Sequence, residues 1–143
     1  MEGAGTVGTQ KQAKAQVMTC LLDTHFVVWI VSKSRRLKGY PWLDNYQPWG
    51  VSPASLLEIQ LLAEVGRREI DNPRFSRTIM TDSRFQFDDI SLVTLIQKSV
   101  ELSWTRDPFD RMIAAHGLCR VAPLCTVDDA MLKHCKLVVP ELR

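Results

Sequence analysis

Short apolar segments alternate along this chain with segments of helical periodicity. Residues 18–22 are nearly all apolar and end at Asp23, as expected for a strand buried on both faces. Helices are predicted to begin at Ser52-Pro53 and Asp107-Pro108, where a capping side chain precedes a proline in the first turn. Strands that alternate with helices form parallel sheets through right-handed crossovers. The pattern therefore predicts an α/β fold with a central parallel sheet of about four to five strands flanked by helices.

The remaining elements follow from the same signals. The predicted strands are 18–22, 50–51, 88–92, 122–126 and 137–139, and the predicted helices are 25–32, 52–66, 94–102, 107–120 and 128–133. Residues 32–49 form a basic and aromatic connection, and residues 72–85 form a further helix or loop. In a parallel sheet of this kind, sites form at the carboxyl ends of the strands.

The length and composition indicate one soluble domain. With 143 residues, 45% of them hydrophobic and 24% charged, the chain is too short for two full cores and too apolar for wholesale disorder. We expect residues 1–17 to be a disordered tail or a cloning remnant and residues 18–143 to be one domain. The longest apolar run has six residues, and the N-terminus lacks the apolar stretch of a signal peptide. We therefore expect a cytoplasmic protein with no membrane partner.

Charge and cysteine content exclude two further classes. The net charge is +2, and it falls to +1 without residues 1–17, so the chain does not bind nucleic acid by bulk charge. The four cysteines contain no C-x-x-C pair and lie mostly in apolar surroundings. They are interpreted as reduced core residues rather than as disulfides or metal ligands.

Four acidic residues are predicted to meet at one edge of the sheet: Asp23, Glu58, Asp110 and Asp128. Each has a simpler explanation when taken alone. Asp23 and Asp128 are also suited to cap the helices that follow them, Glu58 to lie on a solvated surface, and Asp110 to interact with a helix dipole. Together, like charges at one edge need a compensating cation. Carboxylates favour a hard divalent ion, Mg²⁺ or Mn²⁺, and such sites hydrolyse phosphodiesters.

Four motifs carry these acids: L-L-D-T-H (21–25), S-P-A-S-L-L-E-I (52–59), R-D-P-F-D-R-M-I-A-A (106–115) and T-V-D-D (126–129). In order and spacing they resemble the PIN domain, and most closely the VapC-type ribonuclease toxins of toxin–antitoxin pairs. The resemblance implies a three-layer α/β/α fold and an endoribonuclease that hydrolyses RNA phosphodiester bonds with one or two Mg²⁺ or Mn²⁺ ions. It also implies a homodimer, and a VapB-type antitoxin that inserts a C-terminal segment near the active site.

The resemblance also implies roles for single residues. Asp23, Glu58, Asp110 and Asp128 match the acidic ligands of the family, while Thr24, Asp107 and Thr126 match residues that support them. The chain departs from the family at His116, where glutamine is common, and at Val127, where arginine is frequent. Residues 67–89 match no motif. These departures leave the choice of RNA open.

Candidate RNA contacts are less specific than the acids. Arg106 and Arg111 flank the third motif, but a solvated surface explains them equally well. For the basic residues Lys33, Arg35 and Arg36, a solvated surface is favoured over a role in following RNA. Four aromatic residues are candidates for base stacking or for an antitoxin groove, although core packing is favoured for the first of them: Trp29, Trp42, Tyr46 and Trp49.

Three other functions were weighed. A PIN-fold binding module that acts mainly through the antitoxin complex is the main alternative, and the intact acids argue against it. A phosphatase of the haloacid dehalogenase type needs a second aspartate where His25 stands. A zinc site would use His116, Cys119, His134 and Cys135, but one of these cysteines is predicted to be a core residue and adjacent ligands have poor geometry.

Overall fold

The structure is a computed structural model that describes residues 18–143. The tail predicted for residues 1–17 lies outside the described residues. Four parallel strands form a sheet in the order β3-β2-β1-β4. They are β1 (Cys20–Leu22), β2 (Trp49–Val51), β3 (Phe85–Phe87) and β4 (Leu124–Cys125). This confirms the predicted α/β fold with a central parallel sheet.

The helices connect these strands and follow the last one. They are α1 (Thr24–Ser32), α2 (Pro53–Glu64), α3 (Arg74–Thr81), α4 (Leu92–Val100), α5 (Pro108–Arg120) and α6 (Asp129–His134), and short 3-10 turns cover Arg35–Gly39, Pro41–Tyr46 and Pro140–Leu142. The four predicted caps are confirmed, because the side chains of Asp23, Ser52, Asp107 and Asp128 each accept a hydrogen bond from a backbone N–H in the following turn. The stretch 72–85, predicted to be a helix or loop, contains the helix α3 and the first residue of β3.

Two predicted strands differ from the structure. The strand expected at 88–92 is wrong: β3 ends at Phe87, because Asp88 turns its side chain toward α5 and Ser91 caps α4. The strand expected at 137–139 is reduced to a single parallel bridge between Val138 and Leu124. Val138 and Val139 are buried without a strand ladder, whereas Leu92 is exposed at the start of α4.

Both faces of the sheet are covered. Cys20, Leu22, Phe26, Trp49 and Val51 belong to the larger core, which also includes side chains of α2 and α3. A smaller core on the opposite face contains Leu21 of β1, Leu124 of β4 and side chains of α5 and α6. The alternation along β1 follows from the period-two geometry of a strand.

Gly50 lies at the centre of β2, opposite Leu21 of β1. A Cβ atom at this position would lie 2.6 Å from the backbone oxygen of Cys20 and 2.1 Å from the sulfur of Met18. No side chain fits there without moving the neighbouring strand.

Two helices leave apolar side chains exposed. The exposed side chains are Leu57 and Leu61 on α2, Val65 just after it, and Leu92, Val93, Ile96 and Val100 on α4. Within residues 18–143, no helix is both long and apolar enough to span a membrane.

Candidate active site

Asp23 lies directly after β1 and is almost fully buried. Its Oδ1 accepts a hydrogen bond from the backbone N–H of Phe26 at 3.3 Å, so the carboxylate caps α1. Its Oδ2 accepts a hydrogen bond from the hydroxyl of Thr126 at 2.5 Å. These two bonds hold the carboxylate at the carboxyl edge of the sheet.

Thr126 connects two of the predicted acids. Its Oγ1 donates to Asp23 and also accepts a hydrogen bond from the backbone N–H of Asp128 at 3.0 Å. The carboxylate of Asp128 in turn accepts from the N–H of Met131 at 3.0 Å and begins α6. The segment after β4 is therefore fixed against the end of β1, and both carboxylates lie at one edge of the sheet.

Glu58 enters the same region from the second turn of α2. Burial raises the pKa of Glu58, a hydrogen bond from Thr24 opposes this shift, and the charges of Asp107 and Asp23 raise the pKa further. The hydroxyl of Thr24 lies 3.0 Å from that of Ser55, which ties α1 to α2. Thr24 therefore follows Asp23 directly in the chain and contacts Glu58 through its side chain.

Asp110 is the most perturbed carboxyl of the group. It is half-buried in the first turn of α5, and burial is the main cause that raises its pKa to about 7. The charges of four other carboxylates add to this shift: Asp107, Asp128, Glu58 and Asp23. The other three predicted acids and the supporting Asp107 therefore lie close enough to Asp110 to disfavour its charged form.

Asp107 has the capping role that the sequence predicted. Its Oδ1 accepts hydrogen bonds from the backbone N–H groups of Phe109 and Asp110, at 2.8 and 3.2 Å. Its charge also raises the pKa of Asp110 and Glu58 more than any other single carboxylate does. A residue set aside as a cap thus adds to the negative potential of the site.

A divalent cation fits the chemistry of this donor set. The donors are all oxygens, several are half-buried, and their mutual repulsion falls when a positive charge lies among them. The side chains do not yet enclose an ion: in the described part of the chain, no three histidine, cysteine or carboxylate side chains converge closely enough to hold one.

His25 lies at the mouth of the acidic group. Its side chain is 48% exposed, and its Nδ1 lies 3.9 Å from Oδ2 of Asp23. The carboxylate of Asp23 raises the pKa of His25 against the opposing effect of partial burial. The sequence reasoning used this residue only to exclude a phosphatase.

The two candidate arginines differ in exposure and in the contacts of their side chains. The Nε of Arg111 donates to the carbonyl oxygen of Thr105 at 2.6 Å, so part of its guanidinium is used to fix the turn before α5. Arg106 is exposed. Among the basic residues after α1, Arg36 lies with its guanidinium carbon 5.4 Å from the ring centre of Trp29.

The four aromatic candidates also differ in exposure. Trp49 is 1% exposed and its Nε1 donates to the carbonyl oxygen of Leu43, so the expectation that it stacks on bases is wrong. Trp29 is 7% exposed and packs on Phe26 and Tyr40, which confirms core packing. Trp42 and Tyr46 are half-buried and pack on each other.

A second polar cluster was missed by the sequence analysis. The carboxylate of Asp88 pairs with Nε2 of the fully buried His116 at 2.7 Å and with Nε of Arg120. Burial lowers the pKa of His116, and its Nδ1 has no hydrogen-bond partner. Asp88 follows a strand end just as Asp23 does, and that signal was available in the sequence. The predicted strand over 88–92 hid it.

The two histidines of the zinc alternative make other contacts. His116 pairs with Asp88, and the ring of His134 stacks on Trp104 at 5.3 Å between centroids. Cys119 and Cys135 are half-buried free thiols, and Cys20 and Cys125 are buried in the core.

Solved structures with this fold share its architecture over most of the chain. A chain of a toxin–antitoxin complex from Klebsiella pneumoniae matches 84% of this chain and 95% of its own length, with a TM-score of 0.57 and 22% identity. A chain of VapBC2 from Rickettsia felis, bound to a DNA fragment from its promoter, matches 83% of this chain and 94% of its own, with a TM-score of 0.58 and 18% identity. This chain has a PIN-like fold.

The PIN-like fold confirms the fold that the four motifs implied. No protein-family model matches the sequence, and no curated protein is significantly similar to it. At the identities of the two solved structures, the likeness concerns the fold.

Proposed function

We propose that this chain is a Mg²⁺- or Mn²⁺-dependent endoribonuclease, the toxin of a VapBC-type toxin–antitoxin pair. The observation that carries the proposal is the set of carboxylates around Asp110, which come from four places in the sequence and raise the pKa of that residue. The PIN-like fold, which this chain shares with chains of two toxin–antitoxin complexes, supports the same function.

Asp23, Glu58, Asp110 and Asp128 would hold one or two ions. When bound, such an ion lowers the pKa of a water molecule and neutralises charge on the scissile phosphate. The protein itself holds these carboxylates in fixed orientations. Thr126 orients Asp23, and the N-cap bond at Met131 orients Asp128. The pKa of Asp110, raised to about 7 by burial and neighbouring carboxylates, would fall when a cation binds beside it.

The proposed partners are RNA, a cognate VapB-type antitoxin and a second copy of this chain. The toxin–antitoxin complexes with the same fold support an antitoxin. Exposed apolar side chains on α2 and α4 supply surface that becomes buried in a complex. Light scattering on the antitoxin-free protein measures the mass of the assembly, and a value near twice 16.3 kDa is expected.

The nuclease is tested by incubating antitoxin-free protein with total bacterial RNA in Mg²⁺, in Mn²⁺ and in EDTA. Discrete fragments that disappear with EDTA are the expected result, and mapping their ends identifies the substrate. Two substitutions with matched controls assign the site. D128N and E58Q are expected to abolish cleavage, whereas D129N on the same helix as Asp128, and E64Q on the same helix as Glu58, leave it unchanged.

A folded protein that cleaves no RNA with either ion would contradict the nuclease proposal. Folding is checked by a cooperative thermal transition of each variant. That outcome would favour the alternative, a PIN-fold binding module that acts through its antitoxin complex. Cleavage that D128N and E58Q do not reduce would contradict the assignment of the site.

A further inference from the structure

We propose that His25 and Arg36 form an RNA-binding track along α1 that leads single-stranded RNA to the acidic group. The inference rests on the proposed nuclease function and names side chains that contact its substrate. It starts from a single buried side chain, Trp29, against which both residues lie.

Trp29 packs against both exposed side chains, His25 and Arg36. The ring of His25 lies 6.3 Å from that of Trp29, and the guanidinium of Arg36 lies 5.4 Å from it. Trp29 itself is only 7% exposed and is held by Phe26 and by a stacking contact with Tyr40. A base therefore cannot stack on Trp29, but the half-exposed ring of His25 is available.

His25 is placed next to the reacting groups. Its Nδ1 lies 3.9 Å from the Asp23 carboxylate, while about half of its side chain remains in solvent. An aromatic ring at the edge of a carboxylate cluster offers a stacking surface to the nucleotide beside the scissile phosphate. Such stacking accepts every base and is worth a measurable part of single-strand affinity.

Arg36 supplies the positive charge that the acidic group lacks. Its side chain is exposed, and none of the ion pairs among residues 18–143 involves it. Glu69 is paired with Arg67 at 2.8 Å, and the charge of Arg36 makes a smaller contribution to the lowered pKa of Glu69. The guanidinium on Trp29 is thus a pre-positioned cation, and phosphate is its natural partner. Arg111, which follows Asp110 in α5, is bound to the backbone at Thr105.

The track is tested by RNA binding, separately from cleavage. A fluorescein-labelled 12-nucleotide single-stranded RNA of mixed sequence is titrated by anisotropy into the D23N protein in Mg²⁺, so that no cleavage occurs. H25A and R36Q in this background are each expected to weaken binding by about fivefold or more. R36Q is also expected to reduce the slope of log affinity against log salt by about one.

Two controls match these changes in residue type and charge. H134A removes another exposed histidine that lies on a tryptophan, Trp104, and R74Q removes another exposed arginine. Both are expected to bind RNA within twofold of the parent. Rescue identifies the interaction: H25F keeps a ring and is expected to restore binding, whereas R36K restores the salt slope.

In the wild-type background, the same substitutions separate this inference from the proposed function. R36Q is expected to raise KM for cleavage and to leave kcat unchanged. If the wild type cleaves RNA while H25A and R36Q bind and cleave as it does, the track is wrong and the nuclease stands. If the protein neither binds nor cleaves RNA, both proposals fail. If H25A and R36Q weaken binding by a protein that does not cleave, the track holds and the nuclease is wrong.

Discussion

The hydroxyl of Thr126 donates to the carboxylate of Asp23 at 2.5 Å, across a separation of 103 residues. The bond joins the end of β1 to the segment after β4. Because both groups are buried, the bond fixes the position of Asp23 and, through the N–H of Asp128, the start of α6. The geometry of the site thus depends on a neutral residue.

Thr126→Val is expected to reduce RNA cleavage at least tenfold. Valine has the shape of threonine but leaves the Asp23 oxygen and the Asp128 N–H without their partner, at a cost of about 1–3 kcal/mol for each buried group. Thr126→Ser keeps the hydroxyl and is expected to retain most of the activity. Cleavage rates and thermal unfolding of both variants provide the measurement. Equal activity of the valine and serine variants would contradict a role for the bond.

Asp110→Asn is expected to stabilise the metal-free protein at high pH. The pKa of Asp110 is near 7 in the folded chain and 3.8 in the absence of structure, so folding favours its protonated form. This residue therefore costs stability increasingly as the pH rises from about 4 to 7. Asparagine removes that cost.

Thermal unfolding in EDTA at pH 5 and pH 8 measures the effect of D110N. The melting temperature of the variant should exceed that of the wild type by about 2–5 °C at pH 8 and by less at pH 5. Cleavage should be lost in the same variant. A variant that is less stable than the wild type at pH 8 would show that Asp110 is not repelled by its neighbours.

The Asp88–His116 pair predicts a loss of stability in acid. Burial lowers the pKa of His116 below 6.5, so folding favours the neutral ring, and this stability is lost as the pH falls below about 6.5. His116→Gln keeps a donor for Asp88 and cannot be protonated. We expect its melting temperature to fall less than that of the wild type between pH 7 and pH 5. His134→Gln, the same change on an exposed ring, should leave the wild-type profile; identical slopes for all three proteins would refute the interpretation.

Gly50→Ala is expected to destabilise the protein by about 2 kcal/mol or more. The new Cβ would lie 2.6 Å from the backbone oxygen of Cys20, which cannot move without shifting β1. Gly39→Ala is a matched control, because nothing lies within 4 Å of a Cβ at that position. Urea unfolding of the two variants gives the comparison. Similar free energies of unfolding for both would contradict the close approach.

Much of this fold could be predicted from the sequence signals of helix starts and buried strands. The capping residues before α1, α2, α5 and α6 are local signals, because each cap bonds to N–H groups within three residues. Strand bounds after β2 were less readable. Residues 85–92 mix four apolar side chains with four polar ones, and the long-range pairing of Asp88 with α5 helps to decide where β3 ends.

The candidate site was predicted as a set of residues but not as a network. Topology alone brings the acids to one edge, since carboxyl ends of parallel strands share it. The link from Thr126 to Asp23 joins residues 103 positions apart and depends on side-chain positions that no spacing reveals. The contact of His25 with Trp29, by contrast, follows from their i,i+4 spacing on α1, a signal that the sequence analysis did not use.

Three of the carboxylates at this edge begin helices: Asp23, Asp107 and Asp128. Their presence in a related sequence is therefore a poor diagnostic of catalysis, because loss of activity would not release them from holding α1, α5 and α6. Glu58 and Asp110 cap nothing, and Asp110 even opposes folding above neutral pH. In a related protein that has lost nuclease activity, Glu58 and Asp110 should be the first of these carboxylates to be replaced.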